Sequence, residues 1–212
     1  MKILIINPNS DENTDQVLIR KAKALSLPDT DVEVVHVKNA PRLICTYEDR
    51  AASAEEMAEI IRSTENEFDA YVVACHGDPN LDLVREISGK PVVGIAECSM
   101  KYAAAMGNGY AVVSPSLNFV SRKIALARKY HVDDLLRTVI AAKSSSKEDL
   151  LEACKTAKNT FGVDVIVLGC ANYAGCDAYL EREVGIPVLD GVACALITAA
   201  GLARYRKYKE SH

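Results

Sequence analysis

Apolar residues in this chain gather in short, nearly continuous runs, separated by longer segments in which they recur at spacings of three and four. Runs rich in Val and Ile read as strands buried on both faces, and the segments between them as amphipathic helices. Strands are expected at residues 2–6, 32–37, 70–74, 91–95, 110–113, 138–142, 163–168 and 187–189. In the helical segments, Ala51, Ala54, Ala58 and Ile61 mark one inward stripe. A helix over 147–161 opens with Ser146 and Asp149 at capping-box spacing. Another is expected to begin at Pro79, with Asp78 as its cap. Strands alternating with helices predict an α/β fold built on parallel sheets.

The pattern also repeats. Phe68-Asp-Ala-Tyr-Val-Val-Ala-Cys75 aligns without a gap on Val163-Asp-Val-Ile-Val-Leu-Gly-Cys170. Downstream, Lys90-Pro-Val-Val-Gly-Ile-Ala-Glu-Cys98 matches Ile186-Pro-Val-Leu-Asp-Gly-Val-Ala-Cys194, and upstream Ile5-Ile6-Asn7-Pro8 matches Val112-Val113-Ser114-Pro115. A period of this length is too long for a solenoid and indicates two related α/β lobes. The expected architecture is therefore two pseudo-symmetric lobes, each a parallel sheet flanked by helices, with the active site in the cleft between them. Lobe 1 is assigned residues 1–97 plus 191–212 and carries Cys75. Lobe 2 is assigned residues 98–190 and carries Cys170.

Composition narrows the class of protein. The 212 residues carry a formal net charge of −4 and no long basic run, which argues against nucleic acid as a partner. The basic residues at 204–209 suit the solvated end of a last helix. The apolar run at the start is too short for a signal-peptide core, and the one at 192–203 too short for a membrane span. Seven cysteines, an odd number without a CxxC pair, suggest neither a disulfide framework nor a structural zinc site. A reducing cytoplasm is the expected compartment. Neither a GxxxxGK nor a GxGxxG motif is present, so no nucleotide is expected.

The repeat places candidate chemistry. In open parallel sheets ligands bind at the carboxyl ends of the strands. Cys75 and Cys170 stand at two such ends, and Asn7 and Ser114 at the ends of the matching first strands. Two thiols flanking one molecule suit inversion at a carbon bearing an acidic hydrogen, because one thiolate removes the proton while a thiol delivers another to the opposite face. Backbone N–H groups in the following loops would stabilise the carbanion as its charge spreads onto a carbonyl. Cys45, Cys98, Cys154 and Cys194 read as small buried hydrophobes; Cys176, six residues past Cys170, is left open.

At these residues the chain resembles the aspartate/glutamate/hydantoin racemase superfamily, and within it the hydantoin and allantoin racemases. The resemblance rests on Ile3-Leu-Ile-Ile-Asn-Pro-Asn-Ser10, Ala74-Cys-His-Gly-Asp-Pro-Asn-Leu81, Pro91-Val-Val-Gly-Ile-Ala-Glu97 and Leu168-Gly-Cys-Ala-Asn172, and spans nearly the whole chain. It implies a cofactor-independent isomerase with one catalytic cysteine per lobe, mapping onto Cys75 and Cys170. It also implies a small-molecule substrate and a homo-oligomer. Substrate contacts would come from Asn7, from His76, Gly77 and Asp78 after the first cysteine, from Ser114, and from Ala171 and Asn172 after the second.

Amino-acid racemases of this kind follow their cysteines with Asn-Thr and Thr, whereas His76-Gly77 and Ala171-Asn172 stand here. That favours a flat cyclic ureide, such as a 5-substituted hydantoin or allantoin, over a free Asp- or Glu-type amino acid. Other departures alter the pocket: His76 replaces Phe, where it either raises thiolate character at Cys75 or points to solvent; Ser114-Pro115-Ser116 replaces paired threonines; Asn172-Tyr173 replaces Gly-Met; and Leu43-Ile44-Cys45 replaces a Ser-Ile-Glu-like segment. The rival readings are a maleate-type cis–trans isomerase or a malonate-type decarboxylase on the same scaffold, and a non-catalytic ligand-binding homologue. Decarboxylases keep only one of the two cysteines, so retention of both argues against that rival.

Overall fold

The computed structural model describes residues 1–25 and 27–211. In order, the chain forms β1 (Lys2–Asn7), α1 (Glu12–Leu25), β2 (Asp31–His36), α2 (Tyr47–Thr64), β3 (Ala70–Val73), α3 (Leu81–Ile87), β4 (Val92–Gly94) and α4 (Ile95–Met106). The second half continues with β5 (Tyr110–Ser114), α5 (Val120–Lys129), β6 (Leu136–Ala141), α6 (Lys147–Phe161), β7 (Val165–Leu168), α7 (Asp177–Val184), β8 (Val188–Asp190) and α8 (Gly191–Glu210). Two compact units result: Met1–Ile95 with Ala195–His212, and Ala96–Cys194. The chain leaves the first unit at the start of α4 and returns to it within α8.

Each unit holds one four-stranded parallel sheet, ordered β2-β1-β3-β4 in the first and β6-β5-β7-β8 in the second. The internal repeat is thus a repeat of topology. The inner strands β1, β3, β5 and β7 are buried almost throughout, while the edge strands β2 and β6 are only partly covered. Helices on both faces account for the unbroken apolar runs, since neither side of an inner strand meets water.

The two-residue period assigns each side chain to a layer. In the second unit, Ala111, Val113, Ile166 and Leu168 pack on Leu150, Cys154 and Ala157 of α6 and on Leu180 and Val184 of α7. The alternate residues Tyr110, Val112, Val165 and Val167 pack on Ala96, Met100 and Ala103 of α4 and on Leu126 and Ala127 of α5. In the first unit, Leu4, Ile6, Tyr71 and Val73 meet Met57 and Ile61 of α2 and Leu81 and Val84 of α3. No helix among the described residues is long and apolar enough to cross a membrane.

Local expectations were met unevenly. All eight strands form within two residues of their expected bounds. The inward face of α2 is Ser53, Met57, Ala58 and Ile61, while Ala51 is exposed. Ser146 caps α6 through the Asp149 N–H at 3.2 Å, but the Asp149 carboxylate turns to the Ser144 hydroxyl. The reciprocal box forms instead at α2, between Thr46 and Asp49. Helix α3 starts at Leu81 rather than Pro79, because Asp78 (φ 41°) and Asn80 (φ 57°) occupy the left-handed region and delay helical geometry. Asp78 is therefore not its cap.

Candidate active site

Both cysteines follow an inner strand at matching points. Ala74, one residue past β3, donates its N–H to Ile6 O at 2.9 Å, and Gly169, one past β7, donates to Val113 O at 2.8 Å. The cysteine comes next, and its carbonyl then closes a turn: Asp78 N–H donates to Cys75 O at 2.9 Å, and Tyr173 N–H to Cys170 O at 3.1 Å. A strand that ends where its neighbour's hydrogen bonds stop leaves the next side chain at the sheet's carboxyl rim. Both cysteine residues are partly rather than fully buried.

Around Cys170 the second unit supplies its own electrostatics. Burial pushes this thiol above its ordinary pKa; the N–H of Asn172 and the charge of Lys123 pull it back. Lys123 lies on the inward face of α5 with Leu126 and Ala127, is only 5% exposed, and donates from Nζ to Gly169 O at 2.9 Å. Burying an ammonium costs several kcal/mol unless it is well hydrogen-bonded, so its place beside the cysteine is an expensive one. Gly169 has no room for a side chain, since a Cβ there would come within 2.6 Å of Val113 O. Ala171 is buried within a single 3-10 turn (Ala171–Tyr173), and the Asn172 side chain is exposed.

Around Cys75 the loop holds two left-handed residues, Asp78 and Asn80, and His76 is buried within it. His76 is 3% exposed, which removes the solvent-facing option considered for it. Asp78 is also buried, and a Cβ on Gly94 would overlap its carboxyl group. Gly94 ends β4 immediately before α4. Its counterpart in the repeat is Asp190, whose carboxylate accepts from Val192 N–H at the start of α8 and from Gly175 N–H in the loop after Cys170, both at 2.8 Å. One unit brings the carboxylate from the residue itself, the other from the cysteine loop.

Asn7 and Ser114 end β1 and β5 and are fully buried. The Asn7 amide donates to Asp15 Oδ1 at 2.9 Å, and the other oxygen of Asp15 lies 2.7 Å from His36 Nδ1. Ser114 Oγ donates to Ser116 O at 3.0 Å. Both side chains therefore brace the loops that follow them. Cys98, Cys154 and Cys194 are buried as expected, with Cys154 and Cys194 pushed up to about 12 chiefly by burial. Cys45 corrects that reading: it is exposed, in the segment leading to the α2 capping box. Cys176 is partly buried.

Sequence reasoning missed three features here. Lys123 had a signal, being a lysine in phase with apolar positions three and four residues on. Arg50 of α2, whose guanidinium reaches Gly77 in the Cys75 loop, had none beyond its place in a helical first turn. The exchange between Gly94 and Asp190 was visible in the aligned repeats but had no meaning until Asp78 was placed.

Comparison with known proteins sets this arrangement in a family. The sequence pattern described as Asp/Glu/Hydantoin racemase matches residues 3–199. A hydantoin racemase from Pseudomonas sp. (strain NS671) is 33% identical over 207 residues, covering 92% of this chain and 83% of that protein. Another from Paenarthrobacter aurescens is 30% identical over 214 residues, covering 95% and 91%. The structure of allantoin racemase from Klebsiella pneumoniae matches with a TM-score of 0.90 at 27% identity, over 97% of this chain and 88% of that one. The chain belongs to the Asp/Glu/hydantoin racemase family.

Proposed function

We propose that this chain inverts C5 of a cyclic ureide, a 5-substituted hydantoin or an allantoin-like ring, with Cys75 and Cys170 as its two proton carriers. Family membership makes the reaction class racemisation. The narrower reading is supported by one observation above the rest: a thiol follows the third strand of each sheet with the same backbone bonds before and after it. The names of the hydantoin and allantoin racemase relatives point to the ureide.

In this mechanism one cysteine, as thiolate, takes the C5 proton and becomes a thiol. The electron pair left on C5 spreads onto the adjacent ring carbonyl as an enolate. The other cysteine gives its proton to the opposite face of C5 and becomes the thiolate, ready for the reverse direction. Burial favours the protonated form of Cys170, which suits the donor, while Lys123 and the Asn172 N–H hold down the cost of its thiolate. His76, Gly77, Asp78, Ala171 and Asn172 would contact or shape the bound ring, as would Asn7 and Ser114 at the ends of β1 and β5.

The test is to incubate single enantiomers of 5-substituted hydantoins, allantoin, L-aspartate and L-glutamate in D2O with the parent, Cys75→Ser and Cys170→Ser proteins. Circular dichroism follows optical activity and NMR follows the C5 or Cα proton, against enzyme-free controls. Decay with deuterium uptake, fastest for a ureide and abolished by either substitution, is the expected result. Absence of exchange from every compound, with the variants indistinguishable from the parent, would overturn the reading.

A further inference from the structure

Arg50 stands in the first turn of α2, and its backbone is tightly held. Its N–H donates to Thr46 O at 3.3 Å, and its carbonyl accepts from Ser53 Oγ at 2.9 Å and from Asn80 Nδ2 at 2.8 Å. Asn80 is the residue before α3, so this last bond ties α2 to the segment that carries Cys75. The side chain lies over Tyr47, with the guanidinium carbon 5.1 Å from the ring centroid. It then reaches the cysteine loop: a Cβ on Gly77 would be 3.2 Å from Arg50 Nη2 and 3.8 Å from Cys75 Sγ. Gly77, lacking that atom, leaves the space beside both groups open.

The guanidinium makes no hydrogen bond or ion pair among the described residues. The nearby Asp49 turns one carboxylate oxygen to the Cys45 and Thr46 N–H groups, each at 2.7 Å. Arg presents its N–H donors as a planar fork that matches two oxygens of one anion. A hydantoin carbonyl matches it poorly, because it offers a single oxygen with at least one ring N–H beside it that would face the guanidinium's own donors. A carboxylate matches both prongs.

We infer that Arg50 binds a carboxylate on the substrate, so the substrate class is a cyclic ureide whose C5 side chain ends in an acid. This rests on the reading that Cys75 exchanges the C5 proton. Arg50 is then the specificity-determining residue of the Cys75 side, and Tyr47 keeps its side chain extended toward the thiol.

Hydantoin-5-acetic acid and its neutral isostere hydantoin-5-acetamide test this with the full chain. C5 deuterium exchange is measured for the parent, Arg50→Met and Arg50→Lys. The parent should prefer the acid; Arg50→Met should lose about 10- to 100-fold in kcat/KM on the acid, mainly through KM, as expected for a lost charge-assisted hydrogen-bond pair. It should change the amide less than about threefold, with Arg50→Lys in between. Equal losses on both compounds, or none, would overturn the inference, equal losses meaning that the charge serves the thiol or the fold.

A second readout does not need turnover. Alkylation of Cys75 by iodoacetamide, followed by peptide mass spectrometry, should be slowed by the acid in the parent but not in Arg50→Met, and scarcely by the amide. Protection that depends on Arg50 without exchange from any compound would sink the proton-transfer reading and leave the anion site standing. Exchange from both compounds, with acid and amide protecting alike, would do the reverse.

Discussion

The carboxyl rims of the two sheets carry the same thiol, and the cation near each is held in a different way. Beside Cys170 the cation is Lys123 of α5, buried and bonded to the backbone carbonyl just before the cysteine, which is followed by a 3-10 turn. Beside Cys75 it is Arg50, which arrives from a neighbouring helix, with its guanidinium bonded to no described residue, next to a loop with two left-handed residues. Duplicated strands and turns thus fix where a sulfur atom stands but not what surrounds it. The Lys123 side is complete in itself, and the Arg50 side leaves its hydrogen-bond donors for another molecule.

The strongest way to break the comparison is to remove one sulfur at a time. Cys75→Ser and Cys170→Ser should each lower racemisation by about 10²- to 10⁴-fold, the usual contribution of a positioned proton carrier. Deuterium uptake from separate enantiomers should fall unequally between the two variants; identical losses with both enantiomers would mean the two ends do not divide the work.

The next test concerns the carboxylates behind each loop. Gly94→Ala pushes a methyl group into the Asp78 carboxyl, and should cost about 1–3 kcal/mol as overpacking. Asp190→Ala leaves the Val192 and Gly175 N–H groups without their acceptor, at a similar cost of about 1–3 kcal/mol. Chemical denaturation checks both. Equal stability of parent and variants would show that the carboxylates are incidental.

Lys123→Met should move the pH midpoint of Cys170 alkylation upward, since it removes a charge that favours the thiolate, and leave that of Cys75 in place. Lys123→Arg should restore most of the shift. An unchanged midpoint would show that Lys123 only supports the backbone at Gly169.

The smallest effect is on stability at high pH. A thiol whose pKa is raised by folding holds its proton more tightly in the native state. Its contribution is therefore intact below the unfolded value and lost as pH climbs toward the folded one. With Cys154 pushed up to about 12, thermal stability should decline from about pH 8.5, the ordinary thiol value, toward that point. Cys154→Ala should flatten that slope, whatever it does to stability at pH 7; an unchanged slope would assign the decline to other groups.

Much of the fold was legible because burial on both faces writes itself as runs of Val and Ile, and the repeat was legible because Cys75 and Cys170 end two such runs. What stayed hidden depended on contacts distant in sequence. Asp78 looked like a helix cap from its neighbours Pro79 and Asn80, yet a tertiary partner, Gly94, explains its burial. Asn7 and Ser114 stand as proposed substrate contacts, and their hydrogen bonds to Asp15 and Ser116 were not readable from the sequence. Arg50 and Gly77 are 27 positions apart and come together only because Asn80 pins one loop to one helix.

The Gly94–Asp190 mismatch bears on how the two halves diverged. Aligned residue by residue, it counts as a difference, a glycine against an acid. In space, the Asp78 carboxyl occupies the place a Cβ on Gly94 would take, so a carboxyl group stands at this strand end in each unit, from the loop in one and from the strand in the other. Positions 78 and 94 should accordingly behave as one genetic locus: an acidic residue at 94 is admissible only when 78 becomes small, and loss of Asp78 can be compensated by Gly94→Asp. The two halves correspond here in where a carboxyl group stands and not in which residue brings it.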